Sequence, residues 1–223
     1  MHDPGIATAA DYADAMMTAR RAKNILVLLL ILVLLAEMGL FFTMRFSDVV
    51  PNTTASTVAA STTQPARDWS SAIHYVLGGC LFLGVSLSII LGFVVLLIVN
   101  IMLVGRLIGV ARLTGAYILC LLLMLLLFPW QAFLNNVGLT PDKMTFKIPG
   151  VLYTWPELTD AVHGARFANS DINNAILGWG RFVAFPVVAL ILLLVVQVKS
   201  NRGMRQALGE DDLSAPVPDP TNV

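Results

Sequence analysis

Residues 24–42 read NILVLLLILVLLAEMGLFF, a stretch in which Glu37 is the only charged side chain. A helix needs about 20 mostly apolar residues to cross a hydrocarbon core of roughly 30 Å. A secretory signal peptide has a shorter apolar region, of roughly 7–15 residues, and a small-residue cleavage site that this stretch lacks. The stretch therefore predicts an uncleaved helix that anchors the chain in a membrane.

Three further apolar runs follow along the chain, of which the one at residues 73–104 is unusually long and the last is the shortest. None of them shows the alternation of apolar and polar residues that is typical of the strands of a membrane barrel. The four runs predict an all-α integral membrane protein, a four-helix bundle with transmembrane helices at about 24–44, 73–104, 113–133 and 176–198.

The composition supports a membrane protein and excludes several other classes. The chain is 57% hydrophobic and 13% charged, whereas an average soluble domain is about 45–50% apolar and about 25% charged. Its fourteen basic and fourteen acidic residues cancel, and a nucleic-acid-binding protein would carry a basic excess. The partner that this composition predicts is the lipid bilayer.

Basic residues close to the ends of the predicted helices indicate the orientation. Cytoplasmic flanks of membrane helices are enriched in Lys and Arg. With both termini in the cytoplasm, eight basic residues fall in short cytoplasmic flanks: Arg20, Arg21, Lys23, Arg106, Arg112, Lys199, Arg202 and Arg205. We therefore expect both ends of the chain on the cytoplasmic side, in the inner (plasma) membrane of a bacterium.

This orientation divides the chain into three parts. Residues 1–23 are a cytoplasmic segment that we expect to be helical, and residues 24–200 are the membrane domain. Residues 201–223 form a cytoplasmic tail that we expect to be mostly disordered, because its last part is acidic and rich in proline.

The second outer loop contains the start of a short helix. Thr154 fits the N-cap position, Pro156 the first turn, and Glu157 the third position after the cap, where a carboxylate can accept the N–H of the cap residue. Tyr153 and Trp155 are residue types that favour the boundary between membrane and water. The pattern predicts an amphipathic helix on the outer surface.

Glu37 is the first candidate for chemistry, because a charge inside the bilayer costs at least a few kcal/mol. In the first interpretation, Glu37 handles an ion or a proton. In the second, which we favour, a protonated carboxyl forms a hydrogen bond that fixes the packing of the first helix. Pro186 lacks an N–H, so it leaves a carbonyl acceptor free at a similar depth.

Small residues recur at every fourth position of the second helix, at Cys80, Gly84, Ser88 and Gly92. In lipid, a face of small side chains lets the backbone of another helix approach closely. This helix-packing seam either contacts another helix of the same chain, which we favour, or joins two chains in an oligomer.

The remaining candidates are weaker. Arg106 and Arg112 flank the short loop between the second and third helices, where they either contact anionic lipid headgroups or simply set the orientation. The spacing of His74 and His163 does not predict a haem site, and we expect no cofactor, metal or catalytic residue. Cys80 and Cys120 are predicted to lie at different depths, so we expect two free thiols.

These observations leave three hypotheses for function. The leading one is a non-catalytic structural or accessory subunit, or a scaffold, that packs with other membrane helices. The second is a small oligomeric channel or transporter that uses Glu37. The third is a membrane enzyme with its site among the charged residues of the second outer loop: Asp142, Glu157, Asp160, His163, Arg166 and Asp171.

Overall fold

A computed structural model describes residues 9–46, 69–130, 133, 150–163 and 179–209. The regular structure in these ranges is helical throughout, and four of the helices are long and apolar enough to cross a membrane. The helices are α1 (Ala9–Phe46), α2 (Trp69–Val104), α3 (Val110–Leu127), α4 (Trp155–His163) and α5 (Phe185–Ala207). A π-helical turn, Gly180–Ala184, leads into α5.

The four long helices pack in a ring. Helix α1 contacts α2, α2 contacts α3, α3 contacts α5, and α5 returns to α1. We call the end where α1 begins and α5 finishes the terminal end, and the opposite end, where α4 packs, the loop end. Residues 105–109 join α2 and α3 at the terminal end, and this short connection makes the two helices antiparallel neighbours.

Helix α1 combines the predicted N-terminal segment with the predicted first span. Its 38 residues correspond to about 57 Å at 1.5 Å per residue, almost twice the thickness of a hydrocarbon core. Nothing in the sequence between the two parts would break a helix, so they form a single rod. Residues 1–8 of the predicted segment lie outside the described residues.

One face of α1 is buried along its whole length. Every seventh residue on this face has at most 3% of its surface exposed: Met16, Lys23, Leu30, Glu37 and Met44. Seven residues are close to two helical turns, so these side chains lie in one line and face the other helices. We call this line the α1 seam; it contains two ionisable side chains, Lys23 and Glu37.

The outer faces of the ring are apolar. Leu28, Phe93, Ile118 and Ile191, one from each long helix, are 57%, 66%, 60% and 55% exposed. Large exposed apolar surfaces of this kind mark contact with lipid or with other membrane helices. The coarse prediction, an all-α chain with four helices of membrane-spanning length, is therefore confirmed for the described residues.

Helix α3 is shorter than the predicted third span, because it ends at Leu127 and not near residue 133. Phe128 has an extended backbone, with φ −63° and ψ 130°, as expected for a residue that precedes a proline. The 18 residues of α3 give it a length of about 27 Å.

At the terminal end, the backbones of the α2–α3 connection and α5 come into close contact. Gly109 has a φ of 99°, and a Cβ atom on it would lie 2.9 Å from the carbonyl oxygen of Gly203. Helix α5 continues to Ala207, beyond the predicted boundary at residue 200, and Gly209 follows it with a φ of 67°. A glycine in this left-handed conformation is a common helix stop. The predicted tail beyond residue 209 lies outside the described residues.

Replacing Gly109 by alanine should destabilise the protein by about 2–3 kcal/mol, because it adds left-handed backbone strain to a steric overlap with Gly203. Thermal unfolding of the purified protein in detergent measures the effect. Gly115→Ala in α3 is the matched control, since a Cβ there meets nothing within 4 Å, and it should leave stability unchanged or slightly raised. Equal losses in the two variants would contradict the assigned contact.

Candidate functional site

A short non-helical segment, residues 150–154, enters the loop end of the bundle and fills the space beyond α3. We call it the plug. A Cβ on Gly150 would lie 2.6 Å from the carbonyl oxygen of Phe128, so only glycine fits at that position without a shift. The N–H of Val151 donates to the carbonyl of Leu126 over 3.1 Å. Gly150 to Tyr153 are all buried.

The side chain of Leu152 rests on α2. An added Cβ at Gly84 would lie 2.9 Å from Cδ1 of Leu152 and 3.5 Å from Cγ1 of Val33 in α1. The absence of a side chain at Gly84 thus makes room for the plug and lets α1 approach. The neighbours of Gly84 in this contact belong to the same chain.

The other members of the predicted helix-packing seam have different surroundings. The Ser88 hydroxyl donates to the carbonyl of Val85 over 2.8 Å, within its own helix. A Cβ on Gly92 would meet nothing within 4 Å. Cys80 is half-buried. Of the four small residues, Gly84 is therefore the one at which the structure shows a tight contact. Contact between chains through this face stays a prediction.

Glu37 lies beneath the plug. It has no exposed surface, and neither of its carboxyl oxygens has a hydrogen-bond partner among the described residues. Its backbone carbonyl accepts a hydrogen bond of 2.5 Å from the hydroxyl of Tyr153 in the plug. The plug is therefore tied to the backbone of Glu37, while the carboxyl group itself is buried without a partner.

Tyr153 is held by aromatic rings as well as by this hydrogen bond. Its ring meets the edge of Phe182, from the π-helical turn, with centroids 5.0 Å apart. Phe182 in turn stacks on Phe41 of α1 at 4.9 Å. Burial raises the pKa of the Tyr153 phenol well above its usual range, and the nearby Glu37 and Cys80 raise it further. The phenol therefore keeps its proton and acts as a fixed donor.

Cys80 completes a group of three protic side chains at this place. Its thiol interacts electrostatically with both Glu37 and Tyr153. A carboxyl from α1, a thiol from α2 and a phenol from the plug are thus close enough to influence one another electrostatically. Both cysteines of the chain are free, as predicted.

The π-helical turn explains how Phe182 reaches this group. Pro186 has no N–H to donate, and the chain widens just before it, with the N–H of Phe185 bonded to the carbonyl of Gly180. Such turns occur frequently at functional sites. The predicted bond between Glu37 and the carbonyl left free by Pro186 is not formed, because the Glu37 oxygens have no partner in the part of the chain that the structure describes.

A second buried polar group lies near the terminal end, on the same α1 seam. Lys23 has no exposed surface, and its Nζ donates to Ser200 Oγ at 2.9 Å and to Asn201 Oδ1 at 2.6 Å. Beside it, Gln197 Nε2 donates to Asn24 Oδ1 at 2.8 Å. These contacts connect α1 to α5 through an amine and neutral oxygens.

This role of Lys23 differs from the sequence-based expectation, in which Lys23 was one of several basic residues beside the first span. The available signal was spacing: Lys23 lies fourteen residues before Glu37, which is close to four helical turns, so the two side chains share a face.

Helix α4 begins as predicted. Thr154 precedes it, and the Thr154 N–H donates to Glu157 Oε2 at 3.1 Å. The same oxygen lies 2.9 Å from Nη2 of Arg181 in the π-helical turn. The carboxylate of Glu157 therefore caps the N-terminus of α4 and joins this helix to the π-helical turn that precedes α5.

An open cavity of about 250 Å³ lies beside α4, lined by Ser71, His74, Tyr75 and Trp155. The His74 ring meets Trp155 at 5.7 Å between centroids. Of the other charged residues proposed for an outer-loop site, Asp142, Arg166 and Asp171 lie outside the described residues, as do the side chains of Asp160 and His163. The haem pairing of His74 with His163 therefore stays untested.

Arg106 and Arg112 are both exposed in or next to the α2–α3 connection. Arg106 has a φ of 49°, in the left-handed region. Contact of these two side chains with anionic lipid stays a prediction.

Comparisons of the chain with protein families, with curated proteins and with solved structures find no match. The functional argument therefore depends on the geometry alone.

The Lys23 contacts can be tested with a double-mutant cycle. Ser200→Ala should cost about 2 kcal/mol, the usual range for a hydrogen bond to a charged group, and clearly less in a Lys23→Met background. Unfolding of the four variants in detergent measures the coupling. Thr114→Ala is the control, because its hydroxyl donates only to Val110 of its own helix and its effect should not depend on Lys23. Equal costs in both backgrounds would contradict the assigned bond.

Proposed function

We propose that the chain is a non-catalytic membrane subunit or scaffold that crosses the bilayer four times and packs with other membrane helices. In this proposal both termini lie in the cytoplasm, the membrane is the inner (plasma) membrane of a bacterium, and α4 lies on the outer surface. The basic residues near the terminal end support this orientation, because such flanks are typically cytoplasmic.

One observation carries the proposal: three polar side chains, those of Lys23, Tyr153 and Glu157, join elements of the bundle to one another. Lys23 connects α1 to α5, Tyr153 connects the plug to α1, and Glu157 connects α4 to the turn before α5. These groups fix a geometry, and a fixed body with apolar outer faces suits a subunit that other helices pack against.

The hypothesis of an enzyme in the outer loop gains nothing from the described residues. Glu157 is the acid of that loop whose side chain is described, and it is already bonded to Arg181 and to the start of α4.

Purification in a mild detergent tests the scaffold proposal. We expect the 24.1 kDa chain to elute with a different membrane protein in a fixed ratio, as measured by native mass and by identification of the bound chains. A harsher detergent that separates membrane helices should release the single chain. A monomer under every mild condition would contradict the proposal, and a closed homo-oligomer would favour the second candidate.

The second candidate function is a small oligomeric channel or transporter, and the observation that favours it is the unpartnered carboxyl of Glu37. An ionisable side chain inside a membrane is a candidate site for ion or proton handling. Against it, buried leucines separate Glu37 from Lys23 on this side of α1: Leu30 of the α1 seam and the neighbouring Leu34. The described residues of α1 therefore show no continuous polar path between the two ionisable side chains.

Proton flux into liposomes that contain a pH-sensitive dye separates the two candidates. A transporter that uses Glu37 should acidify the interior faster than empty liposomes do, and Glu37→Gln should abolish the excess. A scaffold should match empty liposomes with either residue. Flux that survives in Glu37→Gln would exclude a role for this carboxyl in transport.

A further inference from the structure

The carboxyl of Glu37 is buried, has no partner among the described residues, and lies under the one non-helical segment that those residues place inside the bundle. A neutral carboxyl is compatible with such surroundings, whereas an ionised carboxylate there would need water, a cation or hydrogen-bond donors. Ionisation of Glu37 therefore requires a change in its surroundings, in which a neighbouring element moves to admit water.

The plug is that element. In the part of the chain that the structure describes, it is joined to the long helices by two hydrogen bonds, from Val151 to Leu126 and from Tyr153 to Glu37. A helix would have to break or slide against several neighbours to admit water. Val151, Leu152 and Tyr153 belong to the buried core, so lifting the plug exposes apolar side chains, and the charge on Glu37 has to offset that cost. Unlike a helix, however, the plug has no internal ladder of backbone hydrogen bonds to break.

The other groups around Glu37 do not replace a missing partner. The titratable side chains whose charges interact with it are Cys80 of α2 and Tyr153 of the plug. The Tyr153 hydroxyl already donates its proton to the backbone carbonyl of Glu37. On the π-helical turn the charged side chain is Arg181, which is bonded to Glu157 of α4.

We propose that Glu37 is a proton-binding site that controls the plug. With a proton on Glu37, residues 150–154 stay seated between α1, α2 and the end of α3. When the proton leaves to water at the loop end, the negative carboxylate draws water in, and the plug lifts. The ligand is thus a proton that enters and leaves from one side of the membrane.

This inference goes beyond the scaffold proposal and needs no proton to cross the bilayer. A chain that carries no flux in liposomes can still respond in this way. A chain that binds no other membrane protein can also respond to deprotonation of Glu37. Failure of the scaffold proposal therefore does not imply failure of the Glu37 proposal, and the reverse also holds.

Cys80 supplies a reporter beside the site. The chain has two cysteines, so Cys120→Ala leaves Cys80 as the single thiol. The full-length variant is placed in lipid nanodiscs, where both faces are accessible, and is treated with a charged maleimide that does not enter the bilayer. The labelling rate is measured between about pH 5 and about pH 9.

Thiol chemistry itself depends on pH, so each rate is divided by that of Glu37→Gln in the same background at the same pH. A negative charge on Glu37 disfavours the Cys80 thiolate and by itself lowers this ratio, so a rise in the ratio reports access of the maleimide. We expect this ratio to be near one in acid and to rise about tenfold or more in alkali, because only the chain with Glu37 can ionise and open. A ratio that does not rise with pH overturns the proposal.

Two glycine variants provide controls for the plug. Gly150→Ala should displace the plug from Phe128 and make labelling fast at every pH. Gly79→Ala, one residue before Cys80, adds a Cβ that meets nothing within 4 Å and should preserve the pH dependence. A Gly150→Ala protein that labels as slowly as the parent would contradict the assignment of the plug as the barrier.

Hydrogen exchange gives a second measurement that needs neither thiol nor glycine variant. The Val151 amide is bonded to Leu126 in the seated plug, so its protection relative to Glu37→Gln should fall as the pH rises. Unchanged relative protection across the range overturns the proposal even if Gly150→Ala fails to fold.

Discussion

The α1 seam is the constraint on which the other contacts depend. Met16, Lys23, Leu30, Glu37 and Met44 recur every seven residues and are all buried, so α1 presents one continuous line to the rest of the bundle. Lipid is as apolar as leucine, and helices in a membrane therefore associate through close packing and hydrogen bonds. The seam supplies close packing at its apolar positions. At Lys23, α5 supplies two oxygen partners, and at Glu37 the plug bonds to the backbone carbonyl.

The short third helix has the second largest effect. Helix α3 ends at Leu127, and among the described residues the plug packs against its last turn. Non-helical backbone is tolerated at membrane depth only where protein or water surrounds it. Burial of residues 150–153 and the bond from Val151 to Leu126 meet that requirement. The shortness of α3 and the presence of the plug are thus one structural feature.

Helices were predictable from the sequence because lipid permits few alternatives. A run of about 20 apolar residues has to be helical in a bilayer, and the start of α4 was readable because Thr154 and Glu157 form a local capping pattern. The plug was not predictable, since Val151, Leu152 and Tyr153 show no periodicity and their partners are distant in sequence. Lys23 was misread for a related reason: a basic residue beside a span is usually a cytoplasmic flank, and its burial depends on Ser200 and Asn201.

The two ionisable residues of the seam have opposite surroundings, and this difference assigns them different roles. Lys23 has two oxygen partners at 2.9 and 2.6 Å, and a group with partners of this kind is held in one geometry. The carboxyl of Glu37 has no hydrogen-bond partner among the described residues. A change in the protonation state of Glu37 therefore disturbs its surroundings more than a change in the protonation state of Lys23 would disturb those of Lys23. One end of α1 is therefore fixed to α5, while the other end is covered by a segment with few bonds. This asymmetry supports the proposed scaffold with a responsive loop end: in that proposal, a charge on Glu37 acts on the plug, while the Lys23 contacts that join α1 to α5 lie about four helical turns away.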